Sequence, residues 1–508
     1  MPANNKRIAK NTIMLYIRMF LMMAVAFYTS RVVLKVLGVD DYGIYNLISG
    51  FVTVFSFVNK ALVSATQRYL NVALGKQDDD LFTKIYSMSI NIYLLLSAII
   101  LLVGETVGLW FINTQLNISP DRMFAARWVY QFALFMFVFR ILRTPYNAAV
   151  VAHEKMDFYA YISIVEAVLQ LLIVFLIQNT SLDKLIVYAA LMLATVIIIT
   201  VVYRVYCTKE FNQCLFRLFW DKSLFKELLG FSGWSLLGQI AVIGRTQGEN
   251  FLINHYFTVA ANAARGVATQ ASNATHMFVT NFQTAFNPQL TKTYAAGESK
   301  DHLNLLFRSS KWSYFLMLIV MLPVAFNVEA LLGVWLEEVP EFTASFCVLG
   351  LISYLVMALS SPITTSIFAH GQIRNYQIAL CVVFFIGLLL SFLALKMGLP
   401  PYSVSGVSII VQIMMLLVRL YYAKKMVKLR LREYFSNVLL PVGIVTVVSL
   451  TIPFVLHIVD KNNLWMTFLY CIADMLWGVV IVYLLGLNRT EKRFVSQTIE
   501  NLKHKIIR

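Results

Sequence analysis

The chain carries, at a boundary between two apolar runs, the block Pro145-Tyr-Asn-Ala-Ala-Val-Val-Ala-His-Glu-Lys-Met-Asp-Phe-Tyr159. A second copy follows 217 positions later as Pro362-Ile-Thr-Thr-Ser-Ile-Phe-Ala-His-Gly-Gln-Ile-Arg-Asn-Tyr376. The proline, the Ala-His pair and the tyrosine fall in the same register in both copies. A membrane chain built as two like halves is typical of transporters that rock one half against the other around a central site. The repeat therefore favours transport as the function.

The composition places the chain among polytopic α-helical membrane proteins. Hydrophobic residues make up 59% of its 508 residues and charged residues only 13%, and the mean hydropathy is +0.71. The apolar residues are gathered in stretches of about twenty or more, which is the length a helix needs to cross roughly 30 Å of hydrocarbon. Soluble globular proteins do not have this composition.

Fourteen stretches are predicted to span the membrane as helices. The first half contributes 11–37, 42–72, 82–112, 123–151, 158–179 and 183–206. The second half contributes 226–253, 259–290, 305–332, 342–368, 376–396 and 402–423, and a final pair covers 436–459 and 464–487. The predicted fold is all-α, with two repeated six-helix lobes and two C-terminal helices.

Four segments follow from this reading. The N-lobe covers 1–206, a basic cytoplasmic connector covers 207–225, and the C-lobe covers 226–423. The last segment, 424–508, holds a second basic connector, the final helix pair and a cytoplasmic tail. Both lobes begin on the same side of the membrane, so they are parallel repeats whose expected cavity lies between them. In this scheme the end of the second span at 74–76 is equivalent, in the repeat, to the end of the eighth span at 296–298.

The net charge of +16 does not indicate a nucleic-acid partner, because the basic residues concentrate in alternate loops. That distribution follows the positive-inside rule and predicts that both termini are cytoplasmic. The five cysteines show neither a disulfide framework nor metal-ligand spacing. No Walker A sequence, H-E-x-x-H motif or long extracytoplasmic loop is present. We therefore predict a transporter with no catalytic residues, metal or cofactor.

Ionisable residues inside a span are costly and by default face a cavity or a partner. The excess here is cationic, and the candidate substrate-binding residues are Arg140, Arg143, Lys60, Arg31, Arg18, Arg245 and Arg265. Glu166 and Asp474 have no partner that the sequence identifies. Arg204 and Arg419 are predicted to reach the cytoplasmic interface by snorkelling.

Two pairs can be interpreted further. Arg140 and Arg143 are spaced i,i+3 and share a helix face, whereas the second repeat has Met357 and Ser360 at the matching positions, so the fold does not require arginine there. Arg245 and Glu249 are spaced i,i+4. They form either a structural ion pair or a switchable one, in which Glu249 is a possible coupling residue for a proton or cation.

Positive residues around a membrane cavity suit an anionic substrate, above all a phosphate or pyrophosphate, because arginine binds such groups in a bidentate manner and stays charged when desolvated. A hydrophobic cation would instead call for acidic and aromatic groups. The charge pattern therefore favours an anion.

Two stretches resemble a known family. Leu37-Gly-Val-Asp-Asp-Tyr-Gly-Ile-Tyr45 resembles the LG-x-x-x-YG-x-Y motif of bacterial polysaccharide and O-antigen exporters of the multidrug/oligosaccharidyl-lipid/polysaccharide exporter superfamily. Phe286-Asn-Pro-Gln-Leu290 and Tyr294-Ala-Ala-Gly297 resemble that family as well. The order of these motifs and the duplicated architecture extend the resemblance over the whole chain.

The resemblance implies a flippase in the bacterial inner membrane. Its substrate would be an undecaprenyl-pyrophosphate-linked oligosaccharide for O-antigen, capsule or exopolysaccharide assembly, and it would alternate between inward- and outward-open states around a cationic cavity. The expected partners are this polyprenyl-linked glycan and membrane lipids, and the expected working form is a monomer. The sequence leaves open whether H+, Na+, the membrane potential or removal of product drives transport.

Three alternatives stay open. A cation-coupled multidrug antiporter of the same fold is the first, although the first lobe offers only Glu166 against several cations at similar depth. A membrane glycosyltransferase or polymerase is the second, and a catalytically silent scaffold is the third. Turnover of chemical bonds by the purified protein would separate the second from transport.

Overall fold

The computed structural model describes residues 2–53, 56–114, 119–217, 219–257, 259–336, 338–456, 464–489 and 491–493. Some side chains in the first two helices are outside this description, and those of Arg31 and Lys60 are among them. The described chain is almost entirely helical, with no strand in these ranges.

The first half forms seven α-helices. They are α1 (Pro2–Thr53), α2 (Ser56–Gly75), α3 (Asp79–Val103), α4 (Leu109–Thr114), α5 (Met123–Ala152), α6 (Met156–Gln178) and α7 (Lys184–Glu210). A π-helical turn, Gly104–Gly108, joins α3 to α4. Asp78 caps the start of α3 and Asp183 caps the start of α7, each by accepting backbone N–H bonds.

The second half repeats this order. Its helices are α8 (Lys222–Tyr256), α9 (Val259–Ala295), α10 (Ser299–Phe326), α11 (Val328–Trp335), α12 (Thr343–His370), α13 (Arg374–Lys396) and α14 (Ser403–Met426). The predicted terminal pair of spans follows. The first span contains α15 (Leu431–Tyr434), a π-helical turn (Phe435–Leu439), α16 (Leu440–Ser449) and α17 (Thr451–Leu456). The second contains α18 (Leu464–Ile481) and a π-helical turn (Val482–Gly486).

Eleven of the described helical stretches are long and apolar enough to cross a membrane, which indicates a multi-pass membrane protein. They match the predicted spans except 11–37, 42–72 and 259–290. The described parts of those three are helical, and within the first of them Asn11–Val25 is a shorter apolar helix. Helix α9 is long enough to cross a membrane, but it carries too many polar side chains to count among the apolar helices.

The predicted break between the first two spans lies at Gly38. Two helices meet there at a kink, and Gly38 alone within Pro2–Thr53 has non-helical torsion angles, with φ 82° and ψ 171°. A residue without Cβ adopts this left-handed φ at low cost. The chain therefore turns at a single glycine, within the stretch 37–45 that carries the family resemblance.

Positive-φ residues mark the same turns in both halves. Glu154 (φ 59°) and Gly371 (φ 97°) lie 217 positions apart, in the register of the repeated block. Gln77 (φ 55°) and Gly297 (φ 75°) follow α2 and α9, and these lie 220 positions apart. The predicted pairing of 74–76 with 296–298 used an offset of 222 positions, two more than the structure shows. It aligned Gly75 with Gly297, whereas the residue with positive φ that corresponds to Gly297 is Gln77.

Two compact units contain these helices. Unit 1 consists of Met1–Gln239 and Thr291–Gly297, and unit 2 consists of Ile240–Leu290 and Glu298–Arg508. In unit 1, α5 packs against α7, α2 and α3, while α1 packs against α6. In unit 2, α12 packs against α10 and α14, and α18 packs against α10.

Candidate functional site

Three charged side chains meet inside unit 2. Glu249 accepts a bond from Arg245 Nε at 2.7 Å through Oε1 and a bond from Arg265 through Oε2. Arg245 and Glu249 lie one turn apart on α8, as their spacing predicts, while Arg265 comes from α9. We call Arg245, Glu249 and Arg265 the unit 2 cluster.

Neighbouring groups orient both guanidinium groups. Arg245 Nη2 donates to Ser408 Oγ at 2.5 Å and its Cζ lies 5.7 Å from the Phe384 ring centroid. A Cβ at Gly387 would lie 3.4 Å from Arg245 Nε and 2.5 Å from a methyl group of Val411, so α13 needs glycine at this position.

On the α9 side, Arg265 Nη1 donates to Asn250 Oδ1 and, at 3.4 Å, to the Thr246 carbonyl. Asn262 in turn donates to the Asn250 carbonyl at 3.1 Å. Asn250 thus links α8 to α9 and fixes the direction of the Arg265 side chain.

The unit 2 cluster holds an unbalanced positive charge away from water. The exposed fractions of the three side chains are 10% for Arg245, 3% for Glu249 and 14% for Arg265. Two guanidinium groups against one carboxylate leave a formal charge of +1. An uncompensated buried charge is strongly unfavourable, and a bound anion would neutralise it.

Unit 1 contains a second, looser group of charges. Arg143 Nη1 lies 3.3 Å from Glu166 Oε2, and its Cζ lies 5.6 Å from the Tyr203 ring centroid. Arg18 Cζ lies 4.5 Å from the ring centroid of Tyr159. The sequence did not identify this partner of Glu166, because α5 and α6 are neighbouring helices and spacing along one helix does not predict contacts between two.

Arg140 differs from Arg143 despite lying one turn away on the same helix. Its side chain is exposed, and its guanidinium makes no hydrogen bond or ion pair with any residue that the structure describes. The predicted pair therefore divides into one arginine held by a carboxylate and one that is open to a ligand.

The second repeat fills the matching place with a different arginine. Arg419 Nε donates to Tyr376 Oη at 3.3 Å, and its Nη1 donates to Ser360 Oγ. Ser360 and Tyr376 match Arg143 and Tyr159 in the repeat. Snorkelling of Arg419 to the interface stays a prediction, and these partners lie on α12 and α13. Arg204 is exposed.

Two further buried charges have partners that sequence reasoning missed. Asn327 Nδ2 donates to Asp474 Oδ2 at 3.3 Å, a partner that the sequence did not identify. Lys311 pairs with Glu491 at 2.7 Å, and both side chains are buried. Helix packing between α10, α18 and the tail brings these residues together, and no local spacing signals it.

The described residues form no group of three His, Cys, Asp or Glu side chains able to hold a metal ion. The five cysteines are free thiols. The buried polar side chains of the described residues are mainly hydroxyls and amides, and the buried charged ones are Glu154, Glu249, Lys311, Asp474 and Glu491.

No family model and no curated protein sequence matches the chain. Solved structures do. A MATE protein in complex with MaD3S superposes with a TM-score of 0.72 at 10% identity, over 84% of this chain and 97% of that one. The chain has the MATE fold.

Two other structures with this fold are similar to the chain. A MOP superfamily transporter from Pyrococcus furiosus matches with a TM-score of 0.70 at 11% identity, over 83% of this chain and 97% of that one. It is described as having a binding pocket of reverse polarity that suggests a different function. A mutant of the Vibrio cholerae MATE transporter VcmN matches with a TM-score of 0.66 at 16% identity, over 85% of this chain and 99% of that one.

Proposed function

We propose that the protein is a transporter of the MOP superfamily that flips a polyprenyl-pyrophosphate-linked oligosaccharide across the bacterial inner membrane. It works by alternating access and serves the assembly of a surface polysaccharide such as O-antigen, capsule or exopolysaccharide. The MATE fold of the chain, the eleven apolar helices and the sequence resemblance to polysaccharide exporters support this proposal.

The charge balance of the unit 2 cluster is the observation that carries the choice of substrate. Glu249 is already neutralised from two sides, so the cluster presents positive charge, with two forked donors in fixed orientation. Arginine forks match the oxygen geometry of a pyrophosphate and form charge-assisted bonds with it. Within unit 1, the exposed Arg140 is a further cation suited to a pyrophosphate.

The proposed topology has fourteen spans and cytoplasmic termini. The eleven apolar helices are supplemented by α1 before Gly38, by the stretch 42–72 and by α9, each of which is long enough to cross. Cysteine labelling at Lys76, Gly371 and Lys428 should be blocked from outside, and labelling at Glu338 should succeed. Lys461, a further outside position, lies beyond the described residues. External labelling at Lys428 would contradict the scheme.

A cation-coupled multidrug antiporter is the second candidate. A multidrug resistance MATE family transporter is also among the similar structures, with a TM-score of 0.66. Glu249 and Glu166 would be the coupling carboxylates in that case. Both are paired with arginine, which favours the anionic substrate.

One reconstitution experiment separates the two functions. Purified protein in liposomes is given either a fluorescent polyprenyl pyrophosphate bearing sugars or a fluorescent hydrophobic cation such as ethidium. We expect flipping of the first and no transport of the second. Arg265→Met should reduce flipping by about tenfold or more, whereas Arg204→Met, at an exposed arginine outside the cluster, should not. Ethidium transport without lipid flipping would overturn the proposal.

A further inference from the structure

One face of α9 is polar along most of its length. Residues at three- and four-residue spacing place an amide, hydroxyl or imidazole there, and we call this set the α9 polar face: Asn262, Thr269, Asn273, His276, Thr280, Thr284 and Asn287. At 3.6 residues per turn these positions fall within an arc of about 80°. The composition of this face explains why α9 is not among the apolar helices.

The adjoining face of α9 is fixed against α12. Ser272 Oγ donates to the Cys347 carbonyl at 3.4 Å, and Gln283 Nε2 donates to the Ala358 carbonyl at 3.3 Å. Pro362, inside α12, has no N–H for the Ala358 carbonyl four residues earlier, so Gln283 supplies the missing donor. These bonds set the rotation of α9 and therefore the direction of its polar face.

A polar and aromatic cluster lies near the middle of this face. Tyr354 of α12 donates its hydroxyl to Asn273 Oδ1. The His276 ring stacks on the Tyr354 ring, with centroids 4.6 Å apart and planes 15° apart. Thr280 Oγ1 lies 3.4 Å from His276 Nδ1, and His276 Nε2, a buried atom, has no hydrogen-bond partner among the residues that the structure describes.

Part of this cluster is accessible. Thr269, Asn273 and Thr280 are exposed, although they lie in the interior of a 37-residue helix. Thr269 and Thr280 donate to carbonyls of their own helix, but an exposed amide such as that of Asn273 is costly against lipid hydrocarbon, so we expect this face to line protein or a water-filled path. With no carboxylate or arginine among these residues, their ligand is a neutral group rich in hydroxyls.

The first repeat shows the same spacing. In the register of the Gln77 and Gly297 turns, 220 positions apart, Ser49, Thr53, Lys60 and Ser64 occupy the places of Thr269, Asn273, Thr280 and Thr284. The sequence therefore places polar residues at this spacing in both halves, but only the second half combines them with a tyrosine and a histidine.

We propose that the α9 polar face binds the saccharide part of the transported lipid, with Asn273, His276 and Tyr354 contacting one sugar ring. Sugar hydroxyls need both donors and acceptors, which amides, hydroxyls and a neutral imidazole provide. The face of a pyranose ring carries C–H groups that pack on the negative face of an aromatic ring. This inference rests on the proposed flippase function and assigns selection of the glycan to α9.

The test compares lipids that differ only in the sugar. Wild-type protein in nanodiscs is titrated with polyprenyl pyrophosphate that is bare or carries one to four neutral hexose or N-acetylhexosamine residues. We expect at least one glycosylated lipid to bind about tenfold tighter than the bare one. Tyr354→Phe, Asn273→Leu and Thr280→Val should each reduce that preference about two- to tenfold without changing affinity for the bare lipid.

Two controls separate the roles. Asn281, about 100° around the helix from Thr280, donates to the Met277 carbonyl of its own helix at 2.9 Å, so Asn281→Leu should keep the preference. Arg265→Met should weaken both lipids equally. A wild-type protein with no preference for any sugar, or variants that keep the full preference, would overturn this inference. Failure of the bare and glycosylated lipids alike to bind would instead overturn the proposed function.

Discussion

Lys292 and Glu154 form a salt bridge of 2.7 Å between the last turn of α9 and the turn that joins α5 to α6. The Glu154 carboxylate is fully buried, and Asn11 of α1 donates to the Glu154 carbonyl at 3.4 Å. A Cβ at Gly75 would lie 2.6 Å from the Lys292 carbonyl. The end of α9 is thus packed into unit 1, while α9 belongs to unit 2 as far as Leu290.

Replacing Lys292 by Met should destabilise the protein substantially. The change leaves Glu154 without this cation at a buried position, which costs about 3 kcal/mol, at the lower end for buried pairs because Lys292 is partly exposed. Chemical unfolding in detergent measures the loss. The matched control is Lys155→Met, whose pair with Glu210 is exposed (41% and 44%) and should cost about 1 kcal/mol or less. Equal losses in the two variants would contradict the structural role of Lys292.

The Glu154 turn also shows what the sequence could and could not predict. The repeated block correctly identified 145–159 and 362–376 as equivalent turns, because proline, Ala-His and tyrosine occupy fixed places in both copies. Lys292 lies 138 residues away on another helix, and nothing in its local sequence indicates that contact. The sequence did not predict the partners of Glu166, Asp474 and Arg419 for the same reason, since each contact depends on the packing of two or more helices.

Of the two arginine contacts to Glu249, the sequence likewise predicted only the one within a single helix. The i,i+4 spacing predicted the Arg245–Glu249 contact, because helix geometry alone decides it. That Arg265 closes on the same carboxylate depends on how α8 and α9 pack. Composition indicated a cationic interior, and only the fold shows which cations are already neutralised.

Arg140 and Arg143 should behave differently when replaced by Met. Arg140→Met removes an exposed cation, so stability should stay unchanged while affinity for a polyprenyl pyrophosphate falls about tenfold to a hundredfold. Arg140→Lys should rescue only part of this loss, because lysine lacks the fork. Lipid binding to nanodiscs and thermal unfolding provide the two measurements.

Arg143→Met should instead act through Glu166, which is 16% exposed and loses its cation. We expect a stability loss of about 2 kcal/mol and recovery in the double variant Arg143→Met/Glu166→Gln. Wild-type binding and flipping by a variant with Met at both 140 and 143 would remove this pair from the substrate path.

His153 should make the stability of the protein depend on pH. Burial lowers its pKa, against a bond to the Ala149 carbonyl that raises it, and Lys292 and Lys155 lower it further. The ring stacks on Phe211 at 3.9 Å. Below about pH 6.5 the unfolded chain takes up a proton that the folded chain resists, so the free energy of unfolding falls as the pH falls.

The measurement is the unfolding free energy of wild type and His153→Phe between pH 7.5 and 5.5. The difference between them should change by at most about 1.4 kcal/mol per pH unit, with the variant less sensitive to acid. Phenylalanine keeps the stacking on Phe211, so a simple loss of packing would shift both ends of the range equally. Parallel pH profiles would show that His153 does not titrate in this window.

Glu249→Gln should bind the substrate more tightly and transport it more slowly. In the wild type, Glu249 occupies donors of both Arg245 and Arg265, so a pyrophosphate must compete with it. Without the carboxylate, two buried guanidinium groups are left for the anion, which should raise affinity and the stabilisation that pyrophosphate confers on the protein. In this variant no carboxylate competes with the pyrophosphate for the two arginines, so release of the substrate should be slower and the flipping rate should fall.

Arg245→Met provides the matched comparison, because Glu249 keeps its bond from Arg265 and the cluster becomes neutral. This variant should stay folded and bind pyrophosphate more weakly. If the carboxylate also takes up a proton or cation when substrate displaces it, Glu249→Gln should flatten the pH or sodium dependence of flipping, since a ligand shifts two states only through a difference in contacts. Flipping by Glu249→Gln at the wild-type rate, with unchanged pH and sodium dependence, would leave Glu249 a purely structural partner of the two arginines.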